Sequence, residues 1–316
     1  MNSEELVELA LRSLKCSQKD LALRLGVSPT QISKWKKGEH LSYEMSEKLR
    51  TIANVGDKIP SFVLLAGSLD DANKWERLIG FLAETASGEA ETGYDTAPLE
   101  DELVLLCAHT FDALKELGIE LPKSFPEELD IDYDHADETQ FGLLVEENPY
   151  SALIYRIFLS LNDVYGFYAA YVSGLIHDED LELGGTAADD IEPHLVHLAA
   201  CKTEVDETFA PHAAVFKRKL LGEYETWLTF VKDRAFRAGI PLRAELLRLV
   251  YKTSGELGHE AEAESLGFNS SRIHPDIYMN ELLEGMRVLH QVLPAIMKKV
   301  GMENEFQLNS EDLYSK

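Results

Sequence analysis

The chain has 316 residues, of which 45% are hydrophobic and 27% are charged, and its formal net charge is −26 at pH 7. This length and apolar content allow two domains and a sizeable core, which excludes disorder for most of the chain. Its cysteines are widely spaced and form no CxxC pair, so neither a disulfide framework nor a zinc finger is indicated. The cysteines are Cys16, Cys107 and Cys201.

The amino-terminal residues carry Glu4, Glu5 and Glu8 in place of a basic start and an apolar run, so we expect no signal peptide. The most apolar segment, 164–176, has 13 residues without a charge. A membrane-spanning helix needs roughly 20. We therefore expect a cytoplasmic protein with no membrane partner.

The first predicted elements are a helix before residue 17 and a second helix that begins after Ser17, whose hydroxyl can accept a backbone N–H as a cap. Three apolar residues share one face of this second helix, at helical spacing. They are Leu21, Ala22 and Leu25. Gly26 permits a tight turn. Ser28 and Pro29 then supply an N-cap and a proline at the first helical position, which predicts that a third helix begins at Pro29.

The third helix is predicted to have one buried and one open side. Ile32 and Trp35 lie three residues apart and point inward. The polar residues on its other faces are then free to meet a DNA duplex. These residues are Thr30, Gln31, Lys34 and Lys37.

Residues 17–38 resemble the helix-turn-helix of the phage-repressor, or XRE-like, family. The resemblance rests on the order S-Q-x-x-L-A, then L-G-V-S, then W-x-x-G, and it covers about the first 55 residues. It implies a lambda-repressor-like domain of four or five helices that binds double-stranded DNA. The resemblance also implies that Gln18 contacts a phosphate and that Pro29, Thr30 and Lys34 reach base edges. Pro29 departs from the family pattern, because many relatives have a polar side chain there, so base readout rests on fewer residues.

Charge is divided unevenly along the chain. Residues 1–55 hold nine Lys and Arg against seven Asp and Glu, a net charge of +2, so the remaining residues carry −28. DNA would be repelled by the larger part and can be engaged only at the amino-terminal end. The residues predicted to contact DNA are Gln18, Ser28, Pro29, Thr30, Gln31, Lys34, Lys36 and Lys37.

After the motif the sequence is helical nearly throughout, and no segment shows the alternating pattern of a strand. The predicted fold class is all-α, with a small helix-turn-helix domain followed by a larger acidic helical bundle. Residues 87–97 are small, polar and glycine-containing, which is typical of a linker. The predicted divisions are a DNA-binding domain at 1–56, a connecting helix and linker at 57–97, an acidic domain at 98–302 and a flexible tail at 303–316.

Within the acidic domain the longer helices are predicted at 149–176, 188–208, 212–238, 242–265 and 275–299. The helix at 149–176 is rich in tyrosine, which favours core packing but leaves a small-molecule pocket or a partner groove open. The acidic run at 127–137 predicts a solvated loop, with a docking surface for a basic protein as the alternative.

One spacing in the acidic domain could bind a metal. His194, His197 and Cys201 lie at i, i+3 and i+7, which places them on one face of a helix, and imidazole and thiolate are good zinc ligands. The surrounding residues are mostly apolar, so we interpret the three as packed side chains. We predict no metal site and no cofactor.

Enzyme signatures such as GxxxxGK, GxSxG and HExxH are absent from the sequence, so no enzymatic activity is predicted. The leading hypothesis is a DNA-binding transcription regulator, a repressor, that acts as a homodimer with its contact in the large domain. The alternative is an antitoxin or a phage-defence component, whose acidic domain holds a partner protein and whose helix-turn-helix represses its own operon. A third possibility is an enzyme with an appended DNA-binding module.

Overall fold

The computed structural model describes residues 3–302. Its α-helices, in chain order, are α1 (Ser3–Ser13), α2 (Gln18–Leu25), α3 (Pro29–Trp35), α4 (Tyr43–Ala53), α5 (Pro60–Ala66), α6 (Leu69–Gly88), α7 (Ala97–Glu100), α8 (Leu103–Glu116), α9 (Glu138–Gly142), α10 (Pro149–Tyr168), α11 (Gly174–Ile176), α12 (Leu195–Lys202), α13 (Ala213–Ala238), α14 (Arg248–Tyr251), α15 (Ser254–Ser265) and α16 (Pro275–Val300). No strand occurs among the described residues, and the prediction of an all-α fold is confirmed.

Shorter turns of other helix types connect these elements. Single 3₁₀ turns lie at Glu127–Leu129, Tyr133–His135, Glu179–Leu181, Ala187–Asp190 and Glu192–His194, and wider π turns lie at Leu143–Glu147 and Ala169–Ser173. The tail predicted at 303–316 lies outside the described residues. In the described part of the chain, no helix combines the length and the apolar character needed to cross a bilayer.

The amino-terminal helices pack around α1. Leu6, Val7 and Ala10 on its inner face are fully buried, and α1 contacts α2, α3, α4 and α5. The Ser3 hydroxyl donates to the backbone carbonyl of Trp35 at 3.0 Å, which ties the start of α1 to the end of α3. The helix that precedes the motif is therefore the centre of this small core.

The small core is joined to the rest of the protein through α5. Arg12 on α1 donates to the carbonyl of Leu64 on α5, and Phe62 on the same helix meets Phe111 of α8 edge to face, with ring centroids 4.9 Å apart. Trp75 of α6 is fully buried and also contacts Phe111, at 5.3 Å. One aromatic cluster therefore spans the region predicted as the connection.

The polar stretch after α6 is packed against α10. Thr92 and Thr96 are fully buried. The Thr96 hydroxyl donates to Asn162 Oδ1 at 2.8 Å, and Asn162 Nδ2 donates to the carbonyl of Ala86 at 2.6 Å. A buried polar group is costly unless it has partners, and here each satisfies the other. Residues 87–97 therefore have the composition of a linker, but Thr92 and Thr96 in this segment are packed against α10.

The core of the carboxy-terminal part is built around α10, which packs against α6, α12 and α15. The helix predicted at 149–176 is helical over that whole span, as α10, a π turn at Ala169–Ser173 and α11. The helix predicted at 188–208 is shorter: 3₁₀ turns precede α12, which begins only at Leu195. The helix predicted at 242–265 is divided, since Thr253 adopts an extended conformation between α14 and α15.

The acidic run at 127–137 is anchored on α6. Asp130 accepts hydrogen bonds from Lys74 and Arg77, the closer N···O distance being 2.6 Å. The bond from Lys74 holds the pKa of Asp130 below its usual value. Tyr133 stacks on Phe81 with centroids 5.3 Å apart. The run is thus anchored to the protein at Asp130 and Tyr133, while its acidic side chains are exposed to solvent, as predicted.

Candidate nucleic-acid interface

The first half of the motif is a helix with a satisfied beginning and a defined end. The Ser17 hydroxyl accepts the backbone N–H of Asp20 at 3.3 Å, and the Asp20 carboxylate accepts the N–H of Ser17 at 3.1 Å, which completes a capping box. Gly26 ends α2 with φ +70, a left-handed conformation that favours glycine. These local signals fix where the turn lies.

The second half begins as the sequence predicts. The Ser28 hydroxyl accepts the N–H of Gln31 at 3.2 Å, and Pro29 occupies the first position of α3. Ile32 is fully buried and Trp35 nearly so, and both face the core of α1 and α2. This packing sets the rotation of α3, so the other side of the helix is presented outward.

The outward side of α3 carries the predicted contact residues. Ser28, Pro29, Thr30 and Lys34 are exposed, while Gln31 is half-buried. Lys36 and Lys37 follow at the end of α3 and are both exposed, and Gly38 turns the chain away with φ +85. Gln18, the first residue of α2, is half-buried. The structure therefore places exposed polar residues from 28 to 37 on the side of α3 opposite the buried Ile32 and Trp35.

Lys34 has a partner that sequence reasoning missed. Its Nζ lies 3.4 Å from Glu39 Oε2, and both side chains are about half exposed. A carboxylate beside a predicted base contact would repel the phosphate backbone. The chain reverses at Gly38, and this brings Glu39 back beside α3. The glycine at the end of the helix was the only sequence feature that indicated this turn.

Tyr43 is a second surface residue that sequence reasoning missed. It opens α4 after the N-cap Ser42, and it is 78% exposed although aromatic. Tyrosine hydroxyls are among the side-chain groups that donate to phosphate oxygens in DNA complexes. The Ser42 cap marks the start of α4 in the sequence, but the exposure of Tyr43 is visible only in the structure.

The fold and the exposed face of α3 define the helix-turn-helix class. Residues 7–55 match the family model described as helix-turn-helix. This amino-terminal segment is therefore similar to the DNA-binding helix-turn-helix domains of XRE-type transcription regulators. The match ends at Val55 and no family model accounts for the rest of the chain. No curated protein and no solved structure matches the chain.

The weak metal candidates are brought together only in part. The rings of His194 and His197 lie 5.5 Å apart, and His109 approaches His197 at 6.2 Å. Burial raises the pKa of the Cys201 thiol to about 12. Among residues 3–302, no group of three or more His, Cys, Asp and Glu side chains is arranged to hold a metal ion.

His197 is instead a packed histidine. It is buried, and burial together with the neighbouring imidazoles lowers its pKa to about 3. Its Nδ1 has no hydrogen-bond partner among the described residues. The centroid of its neutral ring lies 6.3 Å from that of Phe216.

The tyrosine-rich helix serves both the core and a cavity. Tyr168 is buried, whereas Tyr165 lines a cavity of about 610 Å³. Glu102, His109 and Glu192 also line this space. A volume of this size can hold a small molecule. The pocket considered for this helix is thus present as a space, and its polar lining combines acidic side chains with histidine and tyrosine.

Proposed function

We propose that this protein is a sequence-specific DNA-binding repressor of transcription that reads the major groove with α3 and acts as a dimer. The observation that carries the proposal is the two-sided character of α3. Its Ile32 and Trp35 side is locked into the core, and its Thr30 and Lys34 side is open to solvent. A recognition helix needs this combination, because base readout requires side chains on a rigid support.

The proposed contacts fall into two groups. Thr30, Gln31 and Lys34 would meet base edges, where hydrogen-bond patterns differ between base pairs. Lys36, Lys37 and Gln18 would meet phosphates, which position the domain without reading sequence. Ser28 and Pro29 stand at the start of α3, next to the readers. Because Gln31 is half-buried, Thr30 and Lys34 are the more accessible readers.

Charge supports a single mode of approach. Residues 1–55 have a net charge of +2 and the rest of the chain has −28, so the duplex meets a favourable potential only at the small domain. The same acidity limits non-specific adherence of the large part to DNA. Two such domains related by symmetry would reach half-sites roughly 34 Å apart and multiply the discrimination of one helix.

The test is selection of bound duplexes from a random DNA pool by the purified full-length protein, followed by titration at several salt concentrations. We expect an enriched sequence with two related halves, and an association constant whose logarithm falls linearly with the logarithm of the salt concentration. A promoter that carries the enriched site should be silenced in a reporter assay. Absence of salt-sensitive binding to any duplex would refute DNA binding, and promoter activation would refute the repressor assignment.

The alternative is an antitoxin or phage-defence component that represses its own operon. The acidity of residues 56–316 favours it, since such a surface suits a basic protein partner. A neighbouring gene for a small toxic protein, and co-purification of its product with this chain, would support this role. An inverted repeat in a divergent promoter would support the repressor alone.

A further inference from the structure

The last described helix, α16, shows no buried side among the side chains that the structure describes. α16 runs for 26 residues, and every side chain described in it is exposed except Met297, which is half-buried. Many of these exposed side chains are large and apolar. They are Met279, Leu282, Leu283, Met286, Val288, Leu289, Val292, Leu293, Ile296 and Val300. Monomeric proteins rarely leave a continuous apolar surface of this extent in water.

The apolar residues follow a heptad repeat. From residue 279 the spacing alternates between three and four without interruption as far as residue 300. The positions in this seam are Met279, Leu282, Met286, Leu289, Leu293, Ile296 and Val300. An apolar residue every 3.5 positions on average produces a narrow stripe that pairs with another helix in a coiled coil.

Other positions show that the seam is one-sided. Arg287, Gln291 and Lys298 lie away from the seam at polar positions of the heptad. Pro294 is also off the seam, so its ring and its missing N–H do not face a partner helix. Leu283, Val292 and Met297 flank the seam and widen it. The stripe is therefore broad enough for extensive contact.

The distribution of charge along the sequence of α16 favours one direction of pairing between two copies. Residues 275–284 contain three Asp and Glu and no Lys or Arg, whereas residues 285–300 contain Arg287, Lys298 and Lys299 and no Asp or Glu. Two parallel copies would align like charges. Two antiparallel copies place the acidic half of one helix beside the basic half of the other, which is complementary.

We infer that α16 pairs antiparallel with α16 of a second copy of this chain and is the dimerisation element. The pairing brings Met279 of one copy opposite Ile296 of the other, and Met286 opposite Leu289, about a two-fold axis near the middle of the helix. A helix of 26 residues is about 39 Å long. A stable protein interface buries roughly 1,200 Å² or more in total, so the two helices must be in contact over this whole length.

The role of this pairing in DNA binding rests on the proposed function, which requires two helix-turn-helix domains in one dimer. The pairing itself is argued from α16 alone. A protein that fails to bind DNA could therefore still form the dimer, and a monomer could still bind DNA. Dimerisation and DNA binding can be measured on the same samples.

The first experiment is analytical ultracentrifugation of the full-length protein, with Leu289→Glu as the test and Val288→Glu as the matched control. The two residues are adjacent and similarly exposed, at 61% and 51%, but only Leu289 is in the seam. We expect the wild type and Val288→Glu to be dimers at micromolar concentration, and Leu289→Glu to dissociate about 30-fold or more readily. Circular dichroism should show the same folded body in all three. A monomeric wild type, or equal effects of both variants, would overturn the inference.

The second experiment tests direction by disulfide formation between single-cysteine additions, with wild type as the background. Met279→Cys and Ile296→Cys should cross-link when mixed and should not cross-link when each is alone. Cross-linking of Met279→Cys with itself would show parallel pairing and overturn the antiparallel assignment. A wild-type dimer that binds no DNA would refute the proposed function but support the pairing of α16. A monomer that binds single half-sites would refute the pairing but support DNA binding.

Discussion

Lys34 and Glu39 form an ion pair across the turn that ends the recognition helix, with Nζ 3.4 Å from Oε2. Because both groups are about half exposed, the pair contributes little to folding. Its importance lies in position, since Lys34 is a proposed base contact and Glu39 adds negative charge beside it. In the proposed complex, DNA would either displace Glu39 from Lys34 or be repelled by its carboxylate.

Replacing Glu39 with glutamine should strengthen DNA binding. The change frees Lys34 and removes a charge that opposes phosphate, and we expect a gain of about 1 kcal/mol or less, shrinking as salt is raised. Fluorescence anisotropy with the selected duplex at two salt concentrations measures it. Glu116→Gln is the control, because Glu116 also pairs with a lysine, Lys219 at 3.5 Å, but lies on α8. Equal gains from both variants would show that only net charge matters.

Alanine at Thr30 and at Lys37 should separate sequence reading from anchoring. Thr30→Ala should cost about 1–3 kcal/mol at the selected site and relax the preference at one base pair. Lys37→Ala should weaken all duplexes alike and lower the salt slope by about one. Titrations of selected and scrambled duplexes over a salt series measure both. The division of roles is wrong if the two variants lose affinity in the same sequence-independent way.

Alanine at Gly166 should destabilise the protein, although alanine usually favours a helix. A Cβ at this position in α10 would lie 2.6 Å from the Cβ of Thr92, which is part of the packed stretch after α6. We expect a loss of about 1–3 kcal/mol in the free energy of unfolding, from overpacking. Gly222→Ala in α13 is the control, because nothing lies within 4 Å of the new Cβ, and it should gain about 0.5–1 kcal/mol. Urea unfolding of both variants decides, and a gain at both sites would mean that the stretch near Thr92 is free to move.

Replacing Asp163 with asparagine should stabilise the protein increasingly as pH rises. Burial raises the pKa of Asp163 to about 7, from an ordinary value of 3.8. Between these values the unfolded chain has lost the proton that the folded chain keeps, so the contribution of Asp163 to stability falls as pH rises through this window. Asparagine has no such proton. The difference in unfolding free energy between variant and wild type, measured in urea at pH 5, 6, 7 and 8, should widen up to about pH 7 and then level off. A constant difference would contradict the raised pKa.

Much of the motif could be predicted because its signals are local. The ends of α2 and the start of α3 depend on hydrogen bonds and backbone angles within a few residues, so the sequence alone predicts them. The residues concerned are Ser17, Gly26, Ser28 and Pro29. The long helices at 213–238 and 275–300 coincide with their predicted spans for the same reason. Thr253 shows the limit: helical periodicity continued across it, yet an extended residue there divides the predicted helix.

The sequence by itself determined the helical class, the beginning and end of the helices of the motif, and the charge contrast between the small domain and the rest. These depend on neighbouring residues or on sums over the chain. Only the tertiary structure decided that Glu39 meets Lys34, that Thr96 is held by Asn162, and that α16 keeps its apolar face uncovered. Contacts and burial of this kind depend on which distant segments come together, and spacing along the chain does not specify that.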